Sequence, residues 1–267
     1  MRRRKPSLRE YLNQIQSSGK YWFTKKEAKE VTGTKENASF TRTLLRWENK
    51  GLIAKAKRGF YVVIPPEYRR PGILPPDWFI SRLMEFIGQP YYVGLLSAAA
   101  KHGAAHQQPM EYQVVVPKSR RALRIGPATI RFFKKSGMRT LPVAEARTPT
   151  GDIKISDPAL TAIDLVAYTK QVGGLDRVAL VIMELKDRIN PQSLISQARR
   201  EPRFATIQRL GWLLDQFGAE KATAELNRLI AARRPRYILL DPEEPARRSA
   251  KNSRWKIVEN AKLDLDI

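Results

Sequence analysis

The sequence TKKEAKEVTGTKENASFTRTLLRWENKGLIAKAKRGFYVVI, residues 24–64, decides the fold of the first part of the chain. Thr24 and Glu27 have the spacing of a capping box, in which each side chain satisfies a backbone N–H of the other residue. This box opens a short helix that Gly33 closes, and Thr34 can cap a second helix directly after it. Two helices joined by a tight glycine-containing turn are typical of a helix-turn-helix.

The second of these helices has one apolar stripe, formed by Phe40, Leu44 and Trp47, and Gly51 ends it. Residues 52–64 then read as two strands around a basic turn, with Gly59 free to take a positive φ. An earlier helix begins with another capping-box pair, serine and glutamate at positions 7 and 10. The pattern therefore predicts a winged helix-turn-helix.

The outward side of the helix after Thr34 predicts a DNA reader. Asparagine and arginine pair bidentately with adenine and guanine edges, and serine and threonine can bond to either. The predicted base-reading residues are Asn37, Ser39, Arg42, Thr43 and Arg46. The predicted phosphate-binding residues around them and on the wing are Lys35, Lys50, Lys55, Lys57 and Arg58.

The charge distribution favours a polyanionic partner. The chain has 267 residues and a formal net charge of +23. Residues 1–70 hold 18 Lys or Arg against 6 Asp or Glu, so the first quarter carries about half of the excess. Such a patch binds nucleic acid with a steep salt dependence.

The absence of cysteine excludes disulfides, cysteine-based zinc sites and thiol catalysis. The longest uncharged run, residues 88–100, is too short to span a bilayer. We expect a soluble cytoplasmic protein that uses no cofactor and no membrane.

A proline-rich segment divides the chain. Five prolines fall within twelve residues, at positions 65, 66, 71, 75 and 76, and such a segment is a semi-rigid spacer. The predicted domains are a winged helix-turn-helix at 1–66, a linker at 67–76 and a larger domain at 77–267. The predicted fold class is α+β: the N-terminal winged helix-turn-helix, followed by a mixed α/β C-terminal domain ending in a helical bundle.

The first part of the larger domain, 77–157, is expected to be a small α/β unit. Asp77 is expected to cap its first helix. Strands are predicted at 111–116, 128–133, near 141–144 and at 152–155. Eight basic residues without an acidic one form a second patch: Lys118, Arg120, Arg121, Arg124, Arg131, Lys134, Lys135 and Arg139. This patch can be a second contact with a polyanion, a surface for an acidic partner protein, or a solvated edge that discourages strand aggregation.

The remainder, 158–267, is predicted to be mainly helical. Helices are expected at 158–170, 174–188, 191–200, 203–217 and 219–233, with late strands at 237–240 and 255–258 and a loop at 243–253. Asp157 caps the first of these helices ahead of Pro158. Asp164 lies among apolar residues and is expected to be buried and paired.

A metal site at the two histidines is weakly supported. His102 and His106 are four residues apart, but no Glu follows His102, and Gly103 interrupts a helix there. Packing or capping is the better interpretation of both. No metal ligand and no catalytic residue is predicted.

Three sequence blocks carry a resemblance to the AbiEi antitoxins of bacterial AbiE-type, type IV toxin–antitoxin systems. They are KGLIAKAKRGFYV at 50–62, YVGLLSAAAKHGAAH at 92–106, and IKISDPALTAIDLV at 153–166, with Trp255 and Lys256 near the end. The second and third blocks are the more specific.

The resemblance implies two roles. The N-terminal domain would bind promoter DNA with inverted repeats and repress its own operon. The C-terminal domain would counteract a nucleotidyltransferase toxin without a tight complex. The second basic patch is then the candidate for a second DNA contact or for toxin neutralisation. Inverted repeats require two copies on DNA, whereas the free protein is expected to be a monomer.

Two other functions remain open. One is a nucleic-acid-processing enzyme that the winged helix recruits to its substrate. The second basic patch and the histidine pair suggest this alternative. The other is a regulator whose winged helix docks another protein. In that case the chain would not shift DNA, and its binding would be insensitive to salt.

Overall fold

The computed structural model describes residues 4–34, 38–104, 110–246 and 248–265, apart from the side chains of Arg139 and Glu220. It confirms the α+β fold class, with a winged helix-turn-helix first, a mixed α/β part next and helices toward the C-terminus. None of the helices in these ranges has the length and hydropathy needed to cross a lipid bilayer.

The head comprises α1 (Leu8–Ser17), β1 (Trp22–Thr24), α2 (Lys25–Thr32), α3 (Ala38–Asn49), β2 (Ile53–Lys57) and β3 (Phe60–Val63). Both predicted capping boxes form: the hydroxyls of Ser7 and Thr24 accept from the third residue of α1 and α2. Gly33 ends α2 in the left-handed region, at φ +66°. The proposed cap of α3 by Thr34 involves residues 35–37, which lie outside the described ranges.

The strand β1 completes the head sheet and was not predicted from the sequence. The order is β1-β3-β2, and both pairings with β3 are antiparallel. Phe23 of β1 is fully buried and stacks on Tyr61 of β3 at a centroid distance of 5.3 Å. The core of the head also includes Leu12, Phe40 and Leu44 from its helices. This core is therefore formed by residues from the first 63 positions of the chain.

The proline-rich segment is held by aromatic contacts. Tyr68 meets the edge of Trp78, with ring centroids 5.5 Å apart, and Trp78 lies 5.2 Å from Tyr21. Leu74 within the segment is fully buried. These contacts pack the segment onto the start of β1.

After the segment come α4 (Ile80–Ile87), β4 (Tyr92–Val93), α5 (Leu95–Lys101), β5 (Glu111–Val116), β6 (Leu123–Ile125), β7 (Ala128–Lys134), β8 (Ala144–Thr148) and β9 (Gly151–Ile155). Six strands form a mixed sheet in the order β6-β7-β5-β4-β9-β8. The strand expected near 141–144 is wrong in position, because a 3-10 turn at Met138–Thr140 delays the start of β8 to Ala144.

The expected capping role of Asp77 is also wrong. Asp77 lies in a 3-10 turn, Pro76–Trp78, and α4 begins only at Ile80. Its carboxylate instead accepts a hydrogen bond from the hydroxyl of Tyr112. Burial, followed by the charge of Asp77 and this hydrogen bond, raises the pKa of Tyr112 well above its ordinary value. The tyrosine therefore stays protonated and links β5 to the segment before α4.

The helical part contains α6 (Pro158–Ala167), α7 (Leu175–Leu185), α8 (Pro191–Arg200), α9 (Phe204–Gln216) and α10 (Glu220–Arg233), close to the five predicted helices. Asp157 caps α6 as expected, accepting from Leu160 N at 2.7 Å. Asp164 is fully buried, also as expected.

The chain closes with β10 (Ile238–Leu239), β11 (Ala250–Asn252) and β12 (Ile257–Glu259), a small sheet in the order β10-β12-β11. The prediction of a loop through 243–253 is wrong in its last part, since β11 pairs antiparallel with β12. Trp255, in the turn between them, is fully buried and donates through Nε1 to Asp215 of α9 at 2.9 Å. This contact ties the small sheet to the helices.

The chain separates into two compact units that are discontinuous in sequence. The first contains residues 1–92, 110–136 and 145–154, and the second contains 93–109, 137–144 and 155–267. The first unit thus combines the head with strands of the larger sheet. The domain bounds at 1–66, 67–76 and 77–267 stay a prediction.

Candidate nucleic-acid interface

The helix α3 has a buried side and an exposed polar side. Phe40 and Leu44 are buried in the head core, and Trp47 packs against it. Of the predicted base-reading residues, Ser39, Arg42 and Arg46 are exposed and Thr43 is half-buried. Asn37 and the predicted phosphate contact Lys35 lie outside the described residues.

Local hydrogen bonds on α3 distinguish these readers. The hydroxyl of Thr43 donates to the carbonyl of Ser39 at 3.0 Å, so its proton is already used within the helix. Arg42 donates through Nε to the carbonyl of Ala38 at 3.3 Å, which leaves the other guanidinium donors available. Arg42 is therefore a better candidate reader than Thr43.

One exposed residue of α3 was not among the predicted site residues. Leu45 is 54% exposed, although it lies in the same helix as the buried Leu44. Apolar side chains can contact the C5-methyl group of thymine in the major groove. In the sequence, the exposure of Leu45 is indicated by its position outside the apolar stripe of Phe40, Leu44 and Trp47.

The wing presents its basic residues unequally. Lys55 and Arg58 are exposed, whereas Lys57 is half-buried. The register between β2 and β3 shifts between Lys55 and Lys57, and Gly59 takes φ +89° in the turn. Burial, and then the nearby charge of Arg120, lower the pKa of Lys57. Lys50, at the end of α3, is exposed as expected.

The second basic patch is divided by the structure. The strand β6 packs against β2 of the wing within the first unit. On this side Lys118, Arg121 and Arg124 are exposed, and Arg120 is half-buried beside Lys57. Arg120 donates to Gln89 Oε1 at 3.0 Å and lies 5.8 Å from the ring of Phe132. The first four residues of the patch thus continue the wing.

The remaining members of the patch are arranged differently. Arg131 forms an ion pair with Glu111 at 3.2 Å and lies over the ring of Phe133. Lys135 is only 5% exposed, and Lys134 is exposed. The side chain of Arg139 is not among those described. The structure therefore does not bring all eight residues onto one open surface.

A shallow depression beside the wing was not predicted. It has a volume of about 440 Å³ and is lined by Thr24, Lys25, Lys26, Lys29, Gly59 and Phe86. The ring of Phe86, in α4, is 41% exposed and packs against Phe60 at a centroid distance of 5.4 Å. Lys25 donates to Thr41 Oγ1 of α3 at 3.4 Å. Three cations of α2 therefore adjoin both α3 and the wing.

Of the two histidines, only His102 lies in the described part of the chain. Nε2 of His102 lies 2.7 Å from the carbonyl oxygen of Ser156, and because a carbonyl only accepts, the ring donates there. His106 lies outside the described residues. Among the residues that are described, no group of three potential metal ligands occurs. His102 has the packing role that the sequence favoured.

Comparisons with known proteins agree with the resemblance. Residues 92–216 match the family model of the AbiEi antitoxin C-terminal domain, a range that contains the more specific sequence blocks at 92–106 and 153–166. No protein in the curated set matches the chain. A crystal structure of the RV2827C protein from Mycobacterium tuberculosis is similar, with a TM-score of 0.68, 15% identity, and coverage of 96% of this chain and 92% of that one. At this identity the similarity shows the fold alone. Over residues 92–216 the chain is therefore similar to the C-terminal domain of the AbiEi antitoxins of toxin–antitoxin systems.

Proposed function

We propose that this protein is an AbiEi-type antitoxin that binds promoter DNA through its winged helix, represses its own operon at inverted repeats, and counteracts a nucleotidyltransferase toxin without a stable complex. The exposed polar side of α3 carries this proposal. Its opposite side is held in the head core by Phe40 and Leu44, so Arg42 and Arg46 are presented on a rigid element. Arginine is the commonest side chain in specific contacts with guanine.

The DNA-binding face has readers and phosphate contacts. Ser39, Arg42 and Arg46 read bases, together with Asn37, and Leu45 contacts a thymine methyl group. Lys50, Lys55, Lys57 and Arg58 hold phosphates, with Lys35 as a further contact. Thr43 supports the helix more than it reads bases, because its hydroxyl donates within α3.

The phosphate contacts extend beyond the wing. Lys118, Arg120, Arg121 and Arg124 follow the wing because β6 packs against β2. Burial, and after it the charge of Arg120, lower the pKa of Lys57, so the two cations disfavour each other. A phosphate bound between them would relieve this repulsion. Lys25, Lys26 and Lys29 add cations on the other side of the wing, at the depression beside Phe86.

The test is a gel shift with the DNA upstream of the protein's own gene and with random DNA of equal length. We expect Arg46→Ala to weaken binding to the cognate DNA by about 1–3 kcal/mol and to relax discrimination between the two. Lys57→Ala should weaken both complexes alike. Arg177→Ala, which removes an exposed cation from α7, is the matched control and should leave both unchanged. Equal binding of wild type to both DNAs would refute specific recognition.

The proposed neutralisation of the toxin needs a separate experiment. Co-expression with the nucleotidyltransferase of the same operon should restore growth, whereas affinity purification of the antitoxin should not retain the toxin. The free protein should elute as a monomer, and two copies should bind one pair of inverted repeats. A stable antitoxin–toxin complex would contradict the proposed mode of neutralisation.

A further inference from the structure

A second depression, in the second compact unit, is bordered by strained cationic residues. It lies at the C-terminal end of α10 and the turn between β11 and β12, and its volume is about 440 Å³. This is within the usual size range of small-molecule sites. Its lining includes Asn227, Arg234, Ser253, Arg254 and Lys256. Among the lining residues that the structure describes, none is acidic.

Two of these cations occupy backbone conformations that favour glycine. Arg234 has φ +45° and Lys256 has φ +53°, both in the left-handed region. Arg234 stands at the C-cap of α10, a position where glycine is the common choice. Strained residues of this kind persist where the surrounding structure fixes them, and they cluster at functional sites.

The surrounding contacts do fix this turn. The side chain of Gln208 in α9 donates to the carbonyls of Arg236, Trp255 and Lys256 at 3.1 to 3.2 Å. The ring of Trp255 is fully buried, and Asn227 donates to the carbonyl of Arg254 at 3.1 Å. The position of Lys256 is therefore set by a rigid framework.

Arg254 is oriented by the same framework. Its guanidinium pairs with Asp215 at 3.1 Å and lies within 3.5 Å of Thr223 Oγ1, while its side chain is 47% exposed. Arg234 is exposed and Lys256 is half-buried. Arg254 is thus partly neutralised by a carboxylate. Nζ of Lys256 lies 5.1 Å from the centroid of the Tyr237 ring, and among the described residues no carboxylate pairs with Lys256 or Arg234. Ser253 and Asn227 add polar groups to the same lining.

We propose that this depression binds the phosphate chain of a nucleotide, with Arg234 and Lys256 as its main contacts and Arg254 as a positioned third. Arginine and lysine bind phosphate through charge-assisted hydrogen bonds. The inference does not depend on the proposed DNA-binding function, because no head residue lines the site. The competing explanation for the position of Arg234 is that its charge only interacts favourably with the negative, C-terminal end of the α10 dipole.

The test measures binding of ATP and of inorganic tripolyphosphate to the full chain by isothermal titration calorimetry, with sulfate as the reference anion. Arg234→Gly and Lys256→Gly should each weaken ATP binding by roughly tenfold or more, the effect expected of one charge-assisted hydrogen bond. Neither substitution should lower the melting temperature appreciably, because glycine adopts positive φ without strain. Weaker binding by a folded variant therefore reports a direct interaction with the ligand.

Arg248→Gly is the matched control. Arg248 is also an exposed arginine with positive φ, at +47°, and it does not line the depression. It should keep wild-type ATP affinity, as should Arg46→Ala in the head. Tripolyphosphate binding like ATP would assign recognition to the phosphates alone, and tighter ATP binding would add the nucleoside. The proposal is overturned if wild type binds ATP no better than sulfate, if both site variants bind normally, or if Arg248→Gly weakens binding equally.

Discussion

Gly211 and Trp255 show at the residue scale how closely the second unit is packed. Gly211 lies in α9, and a Cβ built on it would overlap Cζ3 and Cε3 of the buried Trp255 ring. We expect Gly211→Ala to lower the free energy of unfolding by about 1–3 kcal/mol, because the ring cannot move without breaking its bond to Asp215. Chemical denaturation followed by tryptophan fluorescence measures the change.

The control for this prediction is a double-mutant cycle. Trp255→Leu removes the ring atoms that the new Cβ would meet, so Gly211→Ala should be much less destabilising in that background. If the two substitutions were additive, the close approach would not be the reason for glycine at this position.

Single residues also mark the limits of sequence reasoning. The capping pairs at the starts of α1 and α2 were predictable, since both partners lie three residues apart and need no tertiary contact. Asp77 was misassigned because its partner, Tyr112, is 35 residues away. The burial of Lys135 depends on the packing of other elements and has no local signal, whereas the exposure of Leu45 follows from its position outside the apolar stripe of α3.

The helix α2 illustrates stability at the element scale. Burial alone would raise the pKa of Glu27, but hydrogen bonds from the Thr24 backbone and from Lys20 outweigh it, and the pKa is lowered. A lowered folded pKa contributes stability above the unfolded value, near 4.5, and this contribution disappears as the pH falls through the folded value. Glu27→Gln should therefore destabilise the head at pH 7 and reduce the decrease in stability on acidification below about pH 4.5.

Thermal unfolding of the chain at pH 7, 4.5 and 3 measures this effect. Glu10→Gln is the comparison, because Glu10 forms the equivalent box at α1 and its pKa is also lowered, first by the Ser7 backbone. Glu10 is the more exposed of the two, and its cationic neighbour Arg4 is 3.9 Å away, whereas Glu27 is 3.0 Å from Lys20. The effect of Glu10→Gln should be the smaller one, and the reverse order would contradict the role assigned to Lys20.

Elements differ in how far the sequence predicts them. All five helices from α6 to α10 follow from their apolar period and from the glycine and proline residues between them. The strands β1, β4, β6 and β11 have only two or three residues each, too few for an alternation to be visible. They exist because a neighbouring strand offers hydrogen bonds, which is information outside their own sequence.

At the scale of the whole molecule, the charge should determine how binding responds to salt. Removing one cation that binds a phosphate should reduce the slope of log K against log salt by about 0.9. Replacing Arg120, Arg121 and Arg124 together with alanine should therefore flatten the slope by up to about 3 while preserving the preference for cognate DNA. Fluorescence anisotropy over a salt series measures both quantities.

The control removes an equal charge from the second unit, by replacing Arg177, Arg199 and Arg200, all exposed, with alanine. Its slope should match that of the wild type. If both triple variants changed the slope equally, net charge rather than the continuation of the wing would govern binding. The sequence predicted the patch but not its division, because the pairing of β6 with β7 and its packing on β2 bring together residues more than 60 positions apart.

The interleaved order of the two units has a consequence during synthesis on the ribosome. The core of the head is complete once Val63 has emerged, whereas the first unit as a whole needs residues as late as Lys154. At 5–20 residues per second, that interval is roughly 5–20 seconds. In the first part of this interval, until Ile125 has emerged, the nascent chain holds a finished head while β6 has yet to cover β2. A stall in that part would leave a fragment in which Ala54 and Ala56 of β2, buried in the folded protein, are open to other chains.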